Sequence, residues 1–190
     1  MSKTANLLND GYGGVGRLGL LLPLHWQTVC LLLGGVAAGS TVVVASSPGH
    51  LTGCDVAFTS ADQAGAALEA GVDEVLACSL TPFATRLHQL PPMVLDAAVE
   101  LPGHGDHFGG RPSGVDVRVD DRAVQPAALE LTAQDRVLTA LPPSVGLAGL
   151  LGVLQRGAAL ILLAEGDQAR ALTQESATAW LDESGLHRVR

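Results

Sequence analysis

Two imidazoles and a carboxylate fall within four residues at His104-Gly105-Asp106-His107. Imidazole nitrogens and carboxylate oxygens are ligands for zinc and its transition-metal neighbours, so His104, Asp106 and His107 are the metal candidates. The surrounding stretch Pro102–Gly114 (PGHGDHFGGRPSG) reads as loop by composition. His25, His50, His88 and His187 are scattered and supply no second ligand cluster. A solvated loop is the preferred reading, and no resident metal is expected. A second candidate is His25-Trp26, placed between the end of an apolar run and the start of a helical one. Open α/β sheets take ligands there, outside the carboxyl ends of their strands. The competing reading has Trp26 filling core space and His25 facing solvent. No GxSxG elbow is present, and Ser113-Gly114 and Ser144 lack its glycines. Gly11–Gly16 (GYGGVG) has the letters of a dinucleotide fingerprint. That fingerprint works by following a strand and opening a helix, whereas this run precedes a strand and reads as a turn.

The elements that must position these residues repeat. Arg17–Leu22 is a short apolar run ending in Pro23, followed by an apolar helical stretch from near His25 to Gly39, then Thr41–Ala45 (TVVVA). Arg136–Leu141 ends in Pro142 and leads through a second helical stretch closed by Gly157 into Ala158–Ala164 (AALILLA). Each cassette reads strand, proline, helix, glycine, strand. Proline is tolerated in a first helical turn, and glycine accepts the left-handed conformation that ends a helix. Strands that are apolar throughout imply burial on both faces, as in a parallel sheet covered by helices. Between the cassettes, Asp55–Thr59 and Glu74–Ala77 read as strands and Ala61–Ala70, closed by Gly71, as a helix. Thr81–Leu101 reads as irregular, Gln125–Leu131 as helical, and Asp167–Arg190 as a helix containing Trp180 and broken at Gly185. The expected fold is one α/β domain over 1–190, a three-layer sandwich on a mostly parallel sheet. Its cassettes span 17–45 and 136–164.

Composition narrows the function classes. Apolar residues make up 47% and charged residues 16% of the 190, which favours a packed globule over disorder. A formal net charge of -8 with Lys3 as the sole lysine offers no electrostatic footprint for nucleic acid or an anionic membrane. Cys30, Cys54 and Cys78 form no CxxC pair and read as reduced thiols, so a cytoplasmic location is expected. The uncharged stretch from Leu18 to Cys54 is broken by Pro23, His25, Gln27 and Gly39, which suits a buried helix better than a membrane span.

The stretch from Lys3 to Leu8, followed by LGLLLPLHWQTVCLLLGGVAAGSTVVV, resembles the opening of an AMP-dependent synthetase or ligase of the adenylate-forming superfamily. Leu129–Ala164 (LELTAQDRVLTALPPSVGLAGLLGVLQRGAALILLA) is similar to that superfamily's later DxxLxxxPxxHxxGLxxxLxxLxxG segment. With Leu101–Phe108 (LPGHGDHF) standing where a VHGDRF-like stretch would fall, the resemblance is nearest to a short acyl-CoA-synthetase-like family that carries only this N-terminal portion. By analogy it places His25, Trp26 and Ser144 near an acyl pocket. Departures from the superfamily pattern bear on mechanism. The Ser/Thr/Gly-rich phosphate loop ending in Pro-Lys-Gly is replaced by GGRPSGVDVRVDDR, the Tyr-Gly-x-Thr-Glu motif is absent, and the mobile C-terminal domain with its catalytic lysine is not reached.

The resemblance therefore implies a truncated, catalytically degenerate ligase-like domain with no catalytic residues, acting as a binding or interaction protein. The alternatives are a ligase component completed by a partner and a small-molecule carrier. No cofactor is expected, and ATP, AMP or CoA would enter only if the remnant cleft functions. A homodimer or a protein partner is expected to cover the surface near Leu150–Leu154 and Ala158–Ala164.

Overall fold

The computed structural model describes every residue except Arg111, Pro112, Ser113, Val115 and Arg190. The α/β fold expected over 1–190 is built as two compact units, Met1–Pro23 with Gln27–Ala123, and Leu24–Trp26 with Val124–Arg190.

The first unit opens with α1 (Ser2–Asn6), continued by a wider helical turn at Leu7–Gly11. Then come β1 (Arg17–Leu21), α2 (Trp26–Ala38), β2 (Thr41–Val44), a short turn at Pro48–Leu51, β3 (Val56–Ser60), α3 (Ala64–Glu69) and β4 (Glu74–Cys78). The unit closes with β5 (Val94–Asp96), α4 (Ala97–Glu100) with a further turn at Leu101–Gly103, β6 (Val117–Val119) and β7 (Arg122–Ala123). Its strands form one seven-stranded sheet in the order β5-β4-β3-β1-β2-β6-β7. All neighbours are parallel except β7, which pairs antiparallel with β6. The central strands are mostly apolar and buried along their middles, with polar residues such as Arg17 and Glu74 confined to their ends, as helices on both faces of a parallel sheet require. Val43, Leu51, Ala57, Ala64, Ala67 and Val75 belong to one core cluster. On α2, Gly34 lies where a Cβ would strike Thr4 of α1, and a Cβ on Gly35 would come within 2.5 Å of Leu18 and 2.8 Å of Val42. These glycines let the helix lie flat on its neighbours.

The second unit contains β8 (Arg136–Thr139), α5 (Pro143–Gln155), β9 (Ala159–Leu162), α6 (Gln168–Gln174), β10 (Ala179–Asp182) and β11 (Gly185–Arg188). The sheet order is β11-β10-β8-β9, with β10, β8 and β9 parallel and β11 returning as an antiparallel hairpin. Leu131, Val137, Val153 and Leu181 centre its core. Buried Asp135 ties the unit together: it accepts from the Thr132 backbone N–H at 2.8 Å and the Thr178 hydroxyl at 2.8 Å, and pairs with Arg188. These donors hold its carboxyl well below the usual carboxylate range, the Thr132 backbone bond contributing most.

Three local expectations are corrected. The tail is not one helix around Trp180: α6 is capped by Asp167 and stops at Gln174, just before the left-handed Ser176, and Trp180 sits on β10, whose burial alternates as on a strand. Gln125–Leu131 is not helical, because the Ala127 N–H donates instead to the Ala148 carbonyl of α5 at 2.8 Å. Within the stretch expected to be irregular, β5 adds an edge strand and Asp96 caps α4 by accepting from the Ala98 N–H at 2.9 Å.

Candidate functional site

Parallel sheets present their carboxyl ends as the place for ligands, and the richest point is where successive connections leave in opposite directions. In the first unit that point lies between β1 and β3, since the chain leaves β1 towards β2 and leaves β3 towards β4. The Thr59 hydroxyl on β3 is fully buried, with no hydrogen-bond partner among the described residues. His25 and Trp26 follow β1 at the start of α2. Their rings lie 5.5 Å apart and tilted by 40°. Trp26 is 45% exposed, so it does not fill core space. Partial burial lowers the His25 pKa, which favours a neutral imidazole near pH 7. Ser144 stands half-buried in the first turn of α5.

The His104–His107 loop is tied to α1. Lys3 Nζ donates to the His104 carbonyl at 2.6 Å and the Pro102 carbonyl at 3.3 Å, and pairs with Asp106 at 3.1 Å. Asn6 donates to the carbonyls of Gly105 and His107, both at 2.9 Å. The loop is thus strapped to α1 through its backbone and Asp106. No group of three or more His, Cys, Asp or Glu converges on a metal-sized site among the described residues. Gly11–Gly16 is the turn entering β1, on the amino side of a strand. Of the ligase-like phosphate-loop segment, Arg111, Pro112, Ser113 and Val115 lie outside the described residues.

Two polar clusters escaped the sequence reading. At the carboxyl ends of β2 and β6, His50 Nδ1 lies 3.0 Å from Asp120, 3.1 Å from the Ser47 hydroxyl and 3.3 Å from the Ser46 hydroxyl. Asp120 also accepts from the Ser46 N–H at 2.9 Å. Only strand pairing brings residues so distant in sequence together. On the β10–β11 hairpin, His187 Nε2 lies 2.9 Å from the Ser184 hydroxyl and 3.0 Å from Asp182. The spacing Asp-x-Ser-x-x-His is local, and a hairpin prediction would have exposed it. Neither cluster is a nucleophilic triad. A catalytic histidine holds its carboxylate on one ring nitrogen and its serine on the other. Here one nitrogen serves both partners, so each imidazole clasps a turn.

The second unit also contains an open cleft of about 200 Å³, lined by Leu129, Leu141, Val145 and Leu181 among apolar residues and by Asp182 and Glu183. Two further groups are held in their neutral forms. Burial pushes the Cys78 thiol up to about 12, with Asp96 adding to the effect. The Tyr12 phenol is likewise raised to about 12, chiefly by burial. Among the described residues, no helix is long and apolar enough to cross a membrane.

Solved structures place this fold. A Brucella canis acyl-CoA synthetase superposes with a TM-score of 0.75 at 17% identity, over 95% of this chain and 40% of its own. A putative long-chain-fatty-acid CoA ligase from Rhodopseudomonas palustris gives 0.69 at 16% identity, over 95% and 53%. An anthranilate CoA ligase solved with anthranoyl-AMP gives 0.70 at 14%, over 95% and 43%. The fold is that of the N-terminal part of acyl-CoA ligases, and the chain spans between 40% and 53% of these three proteins. No family model matches the chain. A Mycobacterium tuberculosis protein described as a TIGR03089 family protein is 35% identical over 188 residues, covering 88% of this chain and 74% of the relative. The chain belongs to that family.

Proposed function

We propose that this chain is a ligase-fold binding or interaction protein that does not form acyl-adenylates by itself. The observation that carries the reading is the engagement of Lys3. Adenylyl transfer develops negative charge on phosphate oxygens, and enzymes meet that charge with preplaced cations and donors. The only ammonium side chain of this sequence is held by two backbone carbonyls and Asp106. Arg17, Arg118, Arg136 and Arg188 are ion-paired as well. A cytoplasmic location belongs to the same proposal and is supported by three free cysteines.

The test is pyrophosphate release with ATP, magnesium and a panel of carboxylic acids. The expected rate is background. Turnover above background that survives Lys3→Ala overturns the proposal and favours the second reading, a ligase component using ATP and CoA. The fold shared with the anthranoyl-AMP-bound ligase supports that alternative. Thermal shift against ATP, AMP, CoA and fatty acids then separates a carrier from an interaction protein. A ligand that binds only the folded state raises the melting temperature in proportion to its occupancy.

A further inference from the structure

A strand at the edge of a sheet exposes unpaired N–H and C=O groups, and soluble proteins blunt such edges with charge, proline or brevity. The two sheets have four edges, and three are blunted. β5 is three residues long and follows Pro91-Pro92. β7 is two residues long, exposed, and begins with Arg122. β11 carries His187 and Arg188. β9 is the exception: Ala-Leu-Ile-Leu, within an uncharged run from Gly157 to Ala164, and unpaired on its outer side among the described residues. Its residues are exposed or half-buried.

The hydrogen bonds fix which groups it offers. The N–H groups of Ala159 and Leu163 donate towards β8, to the carbonyls of Asp135, just before the strand, and Thr139, each at 2.9 Å. By strand alternation, the backbone N–H and C=O of Leu160 and Leu162 point outward. Charge flanks the apolar run asymmetrically, with Arg156 before it and Glu165 after it. An antiparallel copy of the same strand brings the positive end of each run to the negative end of the other. We propose that β9 is the seam of a homodimer, pairing antiparallel with β9 of a second copy about a two-fold axis at Ile161. Leu160 and Leu162 then exchange backbone bonds across the seam. Glu165, just past one end of the seam, then lies on the side of the helix end that carries Arg156 of the second copy. Closed two-fold pairing of identical patches is the commonest route to an oligomer. The seam goes beyond the binding reading above and does not depend on it.

Sedimentation velocity on the 190-residue chain at tens of micromolar, in a Cys30→Ser background, tests the seam. A dimer is expected. Leu162→Pro removes an outward N–H while leaving every bond to β8, so it should give a folded monomer with unchanged circular dichroism. Glu165→Arg should weaken the dimer roughly tenfold, because both symmetry-related pairs are lost together, and adding Arg156→Glu should restore it. Ile161→Cys should oxidise to a cross-linked dimer, since non-hydrogen-bonded antiparallel partners lie about 4.5 Å apart at Cα, within disulfide range. Should Leu162→Pro fail to fold, the cross-link and the charge exchange decide. A monomeric wild type, or a dimer that neither responds to the charge exchange nor cross-links at Ile161, overturns the proposal.

Discussion

The cassettes β1–α2–β2 and β8–α5–β9 share one local grammar and end in different surroundings. Both helices have 13 residues, and both are followed by a glycine with positive φ, 86° at Gly39 and 69° at Gly157. Both close in the same way: Ser40 N–H bonds to the Gly35 carbonyl and Gly39 N–H to Val36, while Ala158 bonds to Val153 and Gly157 to Leu154. This is the pattern in which a left-handed residue satisfies the last carbonyls of a helix. Yet β2 lies between β1 and β6 and is buried along most of its length, whereas β9 is an edge and no residue of it is fully buried. Local sequence therefore builds the cassette, and long-range pairing decides what its second strand meets. The apolar run of β9 was expected to lack cover from its own chain and to call for a partner; that it stands at the sheet edge rather than in the interior is set by pairing, which local composition does not encode.

The strongest way to break the symmetry is at the helix faces. Glycine in a helix interior costs about 1 kcal/mol against alanine, so Gly34 and Gly35 are there for space rather than propensity. Gly35→Leu places a branched side chain where even a Cβ would reach Leu18 and Val42. Overpacking of this kind costs about 1–3 kcal/mol for a few added carbons and more when backbone must move. The first unit should lose cooperative folding, read as loss of hydrogen-exchange protection across β1–β4. The second unit's β8–β10 amides should keep theirs if the units fold separately. Equal loss in both would show that they unfold as one.

The second unit has its own vulnerable point in Asp135. Its folded carboxyl pKa is depressed by donors from Thr132, Thr178 and Arg188. The stabilisation is therefore fully present above the ordinary carboxylate pKa near 4 and is lost as pH falls through the lower folded value. Asp182, depressed through Ser184 and His187, adds to the same trend. Acid melting followed by Trp180 fluorescence should show the second unit loosening first. Asp135→Asn should lower the melting temperature at pH 7 and flatten its dependence on pH between about 2 and 4. An unchanged acid profile in that variant removes Asp135 from the account.

What the sequence disclosed follows the same division. Both cassettes, the β3 and β4 strands and the glycine stops were readable because apolar runs, proline and glycine act over a few residues. Trp180 was misplaced because the helical start at Asp167 is real and its end is marked by Ser176 rather than glycine, leaving no familiar stop before β10. The His50–Asp120 cluster depends on β2 and β6 lying side by side, a pairing that no local pattern announces. The strap from Lys3 and Asn6 to the His104–His107 loop joins residues about 100 positions apart. That tether was out of reach of local pattern for the same reason.

The smallest effects test the helix stops. Gly39→Ala and Gly157→Ala each place a Cβ on a left-handed residue, at a cost of roughly 1 kcal/mol, and in neither place is there a neighbour closer than 3.8 Å to add a clash. The two penalties should therefore match, although one helix leads into a buried strand and the other into an edge. A larger loss at Gly39 would mean that burial of the following strand amplifies the local strain. Ser176 provides the converse. It closes α6 with the same pair of bonds, Ala177 N–H to Leu172 and Ser176 N–H to Thr173, but holds φ at 50° with a side chain present. Ser176→Gly relieves that strain while loosening the unfolded chain, so the net gain should be only a few tenths of a kcal/mol. Chemical denaturation of the three variants beside wild type reads all of these terms on one scale. A loss of stability in Ser176→Gly would show that the serine contributes more at this helix end than backbone conformation alone explains.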